Sequence, residues 1–367
     1  MTGGIYVHFP YCEHRCSYCD FVVATPRHSP QARFTDAIIA ELESRAFELS
    51  GPADSLYLGG GTPSLWEADQ LKRVVAAVVR RPGLSADAEV TLEANPSEVN
   101  RESMRRLRAL GITRVSLGVQ SFQDDLLLAI ERRHDGAEAT EACRTIAEVG
   151  FESHSVDLIF GLPGQTVSRW QDDLTAVLEL KPPHLSVYGL TIEPRTMMRR
   201  QVERGIVQVP GDAEQVEMMF AARDRLREAG YTHYEVSSYA LPGHRARHNS
   251  SYWQGAAYLG IGPGAHGFIP PRRWVNVRRP SRYIEAALSG DPTETTEQLD
   301  DATLSFERIM TGLRDLEHGV DFGADWERYA SAAQRHVEQG HLELHGRRAR
   351  LTDSGLRLMN RVLLDLL

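Results

Sequence analysis

The chain has 367 residues, 42% of them apolar and 25% charged, with 50 acidic against 41 basic side chains and a net charge of −9. These proportions suit a globular protein large enough for a barrel with an appendage, and the acidic balance argues against a general nucleic-acid binder, whose binding face is normally basic. No apolar run approaches the roughly 20 residues of a bilayer-spanning helix, and the opening Met-Thr-Gly-Gly leads straight into a strand-like stretch without a signal peptide, so a cytoplasmic protein with no integral membrane segment is expected.

From residue 3 to about residue 190, short β-rich runs alternate with amphipathic helical patterns. The expected strands are Gly4–Phe9, Ser55–Leu58, Glu89–Glu93, Arg114–Val119, Ser155–Phe160 and Leu185–Leu190. Helical stretches such as Phe34–Leu49, Ala68–Val79, Glu102–Leu110 and Ala137–Val149 lie between them, and Gly111 and Gly150 stand where C-terminal caps belong. Six successive βα units mean a parallel sheet with helices packed outside it, an α/β fold of the partial (βα)6 TIM-like barrel type.

After Pro194 the regularity breaks. A helix is expected near Ala213–Ala229, then a polar-aromatic run to Tyr239, and the Gly/Pro-rich stretch Gly255–Pro271 reads as loop. From about Asp300, helices surround a hairpin signal at His345-Gly346 within Leu342–Leu351, which suggests a small winged-helix-like C-terminal domain. The expected division is 1–235 for the barrel, 236–298 for an extension and loop region, and 299–367 for the C-terminal domain.

Three of the four cysteines fall within eight residues, directly after the first strand, as Cys12-x3-Cys16-x2-Cys19. In a reducing compartment such a cluster reads as a metal site rather than a disulfide framework. A fully ligated cubane takes four thiolates, so three leave one iron open for a reacting ligand. Zinc, with His14 as a fourth donor, is the competing reading. The fourth cysteine, Cys143, stands in a helical pattern and reads as a small buried residue. Trp66, Trp170 and Trp326 read as packing, and His8 and His14 as structural or solvent-facing.

Gly59-Gly-Gly-Thr-Pro-Ser64 ends the second strand, where glycines let the backbone approach a ligand closely. Glu93, Gln120 and Asp157 all stand at or near the C-terminal ends of strands, where barrels place their working residues. Each alone could be a satisfied core group. Three on successive strands point to one mouth.

The cysteine loop and these motifs together resemble the radical SAM superfamily, whose members hold a [4Fe–4S] cluster and S-adenosylmethionine (SAM). Over nearly the whole chain the resemblance is to the group of oxygen-independent coproporphyrinogen III oxidase and the HemW haem chaperones. It implies that Cys12, Cys16 and Cys19 hold the cluster, that Tyr6, Gly60, Gly61, Thr62 and Glu93 contact the cluster-bound SAM, and that Tyr18, Gln120, Arg132 and Asp157 match positions serving a second SAM in the oxidase. Three features favour the chaperone branch: Phe21 where the oxidase has a fourth cysteine, only five residues ahead of Tyr6, and Arg247-His248-Asn249-Ser-Ser-Tyr252-Trp253. The last contains His-Asn-x-x-Tyr-Trp, associated with haem in that branch. By this resemblance His248, Asn249, Tyr252 and Trp253 would hold haem b, with His244 a nearby alternative ligand.

A neutral imidazole is a common axial ligand, and aromatic rings supply flat apolar surface beside a macrocycle. The implied partners are haem and haem-receiving proteins such as respiratory enzymes; a homodimer is compatible with the resemblance. The alternative function is SAM-dependent oxidative decarboxylation of coproporphyrinogen III in porphyrin biosynthesis. No catalytic residue is assigned.

Overall fold

The computed structural model describes residues 3–366. Six parallel strands, β1 (Gly4–Phe9), β2 (Ala53–Gly60), β3 (Leu84–Ala94), β4 (Arg114–Gln120), β5 (Ser153–Phe160) and β6 (His184–Gly189), lie side by side in chain order. Their crossovers are α1 (Gln31–Arg45), α2 (Ala68–Arg80), α3 (Arg101–Ala109), α4 (Asp124–Ala129) with α5 (Gly136–Val149), and α6 (Val167–Leu180). This is the partial barrel expected from the alternation. The strands are buried almost continuously (Arg114 to Leu117 of β4 all lie inside) because helices cover one face and the barrel interior occupies the other.

Local chemistry sets the helix ends. Asp135 caps α5 by accepting from the Glu138 amide at 2.8 Å, and Gly150 closes it in the left-handed region at φ 76°. Asn100 does the same for the Ser103 amide of α3, and Thr166 for the Arg169 amide of α6. Cys143 is buried on α5 and Trp170 on α6, both in the main core. Trp66 follows a short 3-10 turn and packs there too, while Trp326 begins a later helix in the C-terminal core.

Beyond β6 come α7 (Met197–Glu203) and α8 (Asp212–Glu228), then β7 (Thr232–Glu235) and β8 (Ser238–Ala240), with β8 pairing antiparallel to β6. The chain returns through α9 (Arg247–Trp253) to the opposite edge. There β9 (Tyr258–Ile261) pairs parallel to β1, followed by antiparallel β10 (His266–Ile269) and β11 (Arg272–Asn276), then α10 (Pro280–Ser289) and β12 (Thr293–Gln298). Among the described residues the sheet has twelve strands.

The Gly/Pro-rich stretch Gly255–Pro271, expected as loop, therefore contains two strands. Its glycines serve close approach: a Cβ on Gly260 would lie 1.8 Å from the His266 carbonyl oxygen. The His-Asn-x-x-Tyr-Trp segment lies on the short helix α9.

After β12 the chain builds a second core from Ile309, Phe322, Tyr329 and Val362. Around it stand α11 (Asp301–Gly312), β13 (Val320–Asp321), α12 (Trp326–Glu338), β14 (Leu342–His345), β15 (Arg348–Leu351), α13 (Asp353–Arg357) and α14 (Met359–Leu366). The expected β14–β15 hairpin forms, but its turn is Gly346-Arg347, one residue beyond the expected His345-Gly346, because His345 pairs with Arg348; β13 adds to its β15 edge. Among the described residues no helix is long and apolar enough to cross a membrane.

One buried carboxylate clamps the β9–β11 edge to the barrel. Glu41 on α1 is 1% exposed. Its Oε1 accepts from Arg45 Nε (3.0 Å) and Asn276 Nδ2 (2.6 Å), and its Oε2 from the Gly262 amide (2.9 Å) and the Tyr283 hydroxyl (2.7 Å). Glu41→Ala removes the shared acceptor of these four donors, one of them the buried Arg45, which keeps Glu48 at 3.6 Å, so a loss of about 3 kcal/mol is expected. Urea denaturation should show a lowered midpoint at unchanged slope.

Candidate functional site

The C-terminal ends of the six parallel strands open on a cavity of about 520 Å³, within the range of small-molecule sites. Cys12, Cys16 and Cys19 line it from the loop after β1, Gly60, Gly61 and Thr62 from the end of β2, and Glu93 from β3. Gln120, Arg132, Asp157 and Tyr18 line the same cavity, so residues spread over 146 positions meet at one mouth. Tyr6 lies beneath: its side chain is turned into the barrel, where its hydroxyl bonds His8 Nδ1 at 2.9 Å. His8 is buried and its Nε2 reaches the Val22 carbonyl at 2.7 Å, which anchors the far side of the cysteine loop. Burial pulls the His8 pKa down to about 4, so the ring is neutral. The more exposed His14 faces Glu131 at 3.6 Å.

Backbone contacts bring the cysteine and glycine loops together. The Gly61 amide donates to the Phe9 carbonyl (2.6 Å) and the Thr62 amide to that of Tyr11 (3.0 Å). Among the described residues no three His, Cys, Asp or Glu side chains gather tightly around one ion position. A single zinc needs that convergence, whereas a cubane asks each thiolate to reach a different iron. Burial pushes the Cys12 thiol up to about 11 and raises Cys19 as well, so metal binding here displaces protons. The donor set, three soft thiols at the edge of a cavity, fits an iron–sulfur cluster.

Two carboxyls stand deeper in the cavity. Glu93 Oε1 accepts from the Tyr57 hydroxyl (2.8 Å) and Oε2 from the Gly60 amide (2.9 Å). Burial nevertheless raises its pKa to about 7, with the Asp157 charge adding to the rise. Asp157 accepts from Ser116 and Ser155 hydroxyls, each at 2.8 Å, and burial raises it too. Gln120 sits at φ 70°, a left-handed conformation uncommon outside glycine. The buried carboxylate of Asp173 on α6 holds the chain just after it, accepting from the Ser121 hydroxyl and from the Phe122 amide at 2.8 Å. Sequence reasoning missed Tyr57, Asn95, Ser116 and Asp173. Tyr57 had a signal, since it shares a strand face with Ser55 and Gly59; the Asp173 contact spans 52 residues and had none.

The haem-motif residues lie at the other end of the barrel. β1 spans about 17 Å between the two ends at ~3.3 Å per residue. Glu89 of β3 caps α9, taking the amides of Arg247 and His248 at 3.0 Å each. His248 is 1% exposed, with Nδ1 bonded to Ser55 Oγ (2.7 Å) and Nε2 to the Tyr252 hydroxyl (2.8 Å). Burial lowers its pKa to about 3. Tyr252 and Trp253 line a second cavity of about 680 Å³, walled by Tyr258, Phe268, Arg273 and, from α11, Leu304 and Arg308. His248 and Asn249 are not in its wall, and His244 bonds Ser153 Oγ (3.2 Å) away from it.

A partial α/β barrel that presents three cysteines, a glycine loop and buried carboxyls at one mouth defines the radical SAM class. The family described as the Radical SAM superfamily matches residues 6–177. "Heme chaperone HemW" of Lactococcus lactis is 34% identical, covering 98% of this chain and 96% of that protein. Its Mycobacterium tuberculosis counterpart is 38% identical over 99% and 94%. The solved structure titled "Coproporphyrinogen III oxidase (HemN) from Escherichia coli is a Radical SAM enzyme" superposes with a TM-score of 0.85 at 22% identity, covering 100% of this chain and 90% of that one, which shows a shared fold. The chain belongs to the HemW family within the radical SAM superfamily. Membership implies a [4Fe–4S] cluster and SAM.

The family resemblance implies Glu93 as a SAM contact, and on that expectation its titration sets a pH dependence. The carboxyl is protonated below about pH 7 and charged above it, and a cationic ligand prefers the charged form. Anaerobic equilibrium dialysis should show SAM affinity rising from pH 6 to pH 8, with Glu93→Gln weakening binding and flattening the profile.

Proposed function

We propose that this protein is a cytoplasmic haem chaperone. It takes up haem b and passes it to haem-requiring proteins such as respiratory enzymes, with the cluster and SAM at the barrel mouth governing the transfer. The observation that carries the reading is the near full-length relationship to proteins named haem chaperones. Phe21 in place of a fourth cysteine supports it.

The cavity beside α9 suits the cargo. Tyr252, Trp253, Tyr258 and Phe268 offer ring surfaces to a flat apolar macrocycle, while Arg273 and Arg308 in the wall are paired with Glu297, Glu307 and Asp325 and would exchange those partners to bind its carboxylates. His248 is neutral, as an iron ligand must be. Its Nε2 is occupied by the Tyr252 hydroxyl, so ligation requires that hydroxyl to move away.

Two variants separate the roles. In anaerobic titrations followed by the Soret band, His248→Ala is expected to weaken haem binding about tenfold or more. Tyr252→Phe, which frees Nε2, is expected to preserve or strengthen it. Unchanged binding in His248→Ala removes the assigned ligand, and loss in Tyr252→Phe makes the tyrosine the ligand instead.

A second reading, oxidative decarboxylation of coproporphyrinogen III, draws support from Gln120, Arg132 and Asp157 lining the cysteine cavity together. Incubation of reduced protein with SAM and coproporphyrinogen without oxygen decides it: protoporphyrinogen formed at catalytic turnover overturns the chaperone reading.

A further inference from the structure

We propose that Arg132, Asn95 and Thr62 form a relay of hydrogen-bond donors that raises the reduction potential of an iron–sulfur cluster held by Cys12, Cys16 and Cys19, with Asn95 as its positioning residue. The inference rests on the reading of those cysteines as cluster ligands.

The relay follows from donor and acceptor bookkeeping. Arginine can only donate, so the Asn95 atom 2.7 Å from Arg132 Nη2 must be the amide oxygen. The Asn95 nitrogen then faces Thr62 Oγ1 at 3.1 Å and donates to it. Thr62 has a single hydroxyl proton and cannot return it to Asn95. The acceptor left is Cys12 Sγ, 3.4 Å away. At the other end of the chain of bonds, Arg132 Nη1 lies 3.8 Å from Cys16 Sγ. One amide therefore aligns donors onto two of the three sulfurs.

The relay is rigid and has donor capacity to spare. The Asn95 backbone amide is tied to Glu98 Oε2 at 2.9 Å, and Thr62 is 4% exposed. The Gly118 carbonyl takes a second bond from Arg132 Nη2, while Arg132 Nε is buried with no acceptor among the described residues.

Reduction adds one electron from an external one-electron reductant and takes a cubane from 2+ to 1+. With three thiolates the total charge goes from −1 to −2, and no bond breaks or proton moves. A guanidinium and a hydroxyl aimed at the sulfurs stabilise the more negative state.

The test is a potentiometric titration read by electron paramagnetic resonance, with dithionite as reductant, on the full chain reconstituted without oxygen. Iron and sulfide content are measured in parallel. Arg132→Gln is expected to lower the reduction equilibrium constant about tenfold or more, about 59 mV for a one-electron couple. Arg132→Lys, which keeps the charge but loses the fork, should fall between it and the wild type. Asn95→Ala should shift the same way by a smaller amount while leaving all three cysteines and the arginine in place. Because the potential is read on the loaded fraction alone, poor reconstitution of one variant does not hide the effect. Unchanged potentials in Arg132→Gln and Asn95→Ala with intact clusters overturn the relay. Absence of any cubane in the wild type overturns the cysteine assignment instead.

Discussion

Two backbone hydrogen bonds carry the arrangement of the site: the Gly61 amide to the Phe9 carbonyl and the Thr62 amide to that of Tyr11. They lay the glycine loop directly on the root of the cysteine loop. A Cβ on Gly61 would lie 2.8 Å from the Tyr11 oxygen and 2.9 Å from that of Phe9, so only glycine permits the approach. The cysteine loop is closed on its other side by Ala24, whose amide meets the Pro10 carbonyl while its own carbonyl accepts from Cys12. Main-chain bonds at both ends fix the root of the cysteine loop, around Pro10 to Cys12, against the glycine loop.

The barrel interior is the second constraint. A parallel sheet covered by helices ordinarily fills its interior with aliphatic side chains, yet this one holds two carboxyls, several serines and a set of aromatic rings. Such groups are tolerable only when paired, and the pairing runs in chains. Ser155 spends its one proton on Asp157, so it accepts from His184 Nδ1, and His184 Nε2 in turn takes the Tyr234 hydroxyl proton. On the other side Tyr57 gives its hydroxyl to Glu93 and stacks its ring on His248 at 5.1 Å. The two cavities at opposite poles thus share one polar, ring-filled interior. Polar satisfaction makes the buried position of His248 tolerable, and burial itself keeps the ring neutral.

Much of the framework could be read before any coordinates. The strands Gly4–Phe9 and Arg114–Val119 and the helix cap at Gly150 follow from periodicity and capping chemistry that act within a few residues. The segment Gly255–Pro271 could not be read this way. Glycine there reports close approach of two strands, but the partner of β9 is β1, about 250 residues earlier, and no local signal points to it. Helix α9 was hidden for a similar reason. Its start is capped by Glu89 from another strand, so the seven residues themselves carry no capping signal.

By itself the sequence determined the barrel and the set of candidate ligands: three thiols at a tight spacing, glycines after a strand, polar residues at successive strand ends. Those features depend on residue type and short spacing, which the linear order states directly. Only the tertiary structure decided which of these groups touch. It set Asn95 between Arg132 and Thr62, placed Tyr252 over His248, and separated the cysteine cavity from the aromatic one by the length of a strand. Side-chain hydrogen bonds depend on distances of a few ångströms between segments tens to hundreds of residues apart, and those distances exist only once the sheet has closed its register.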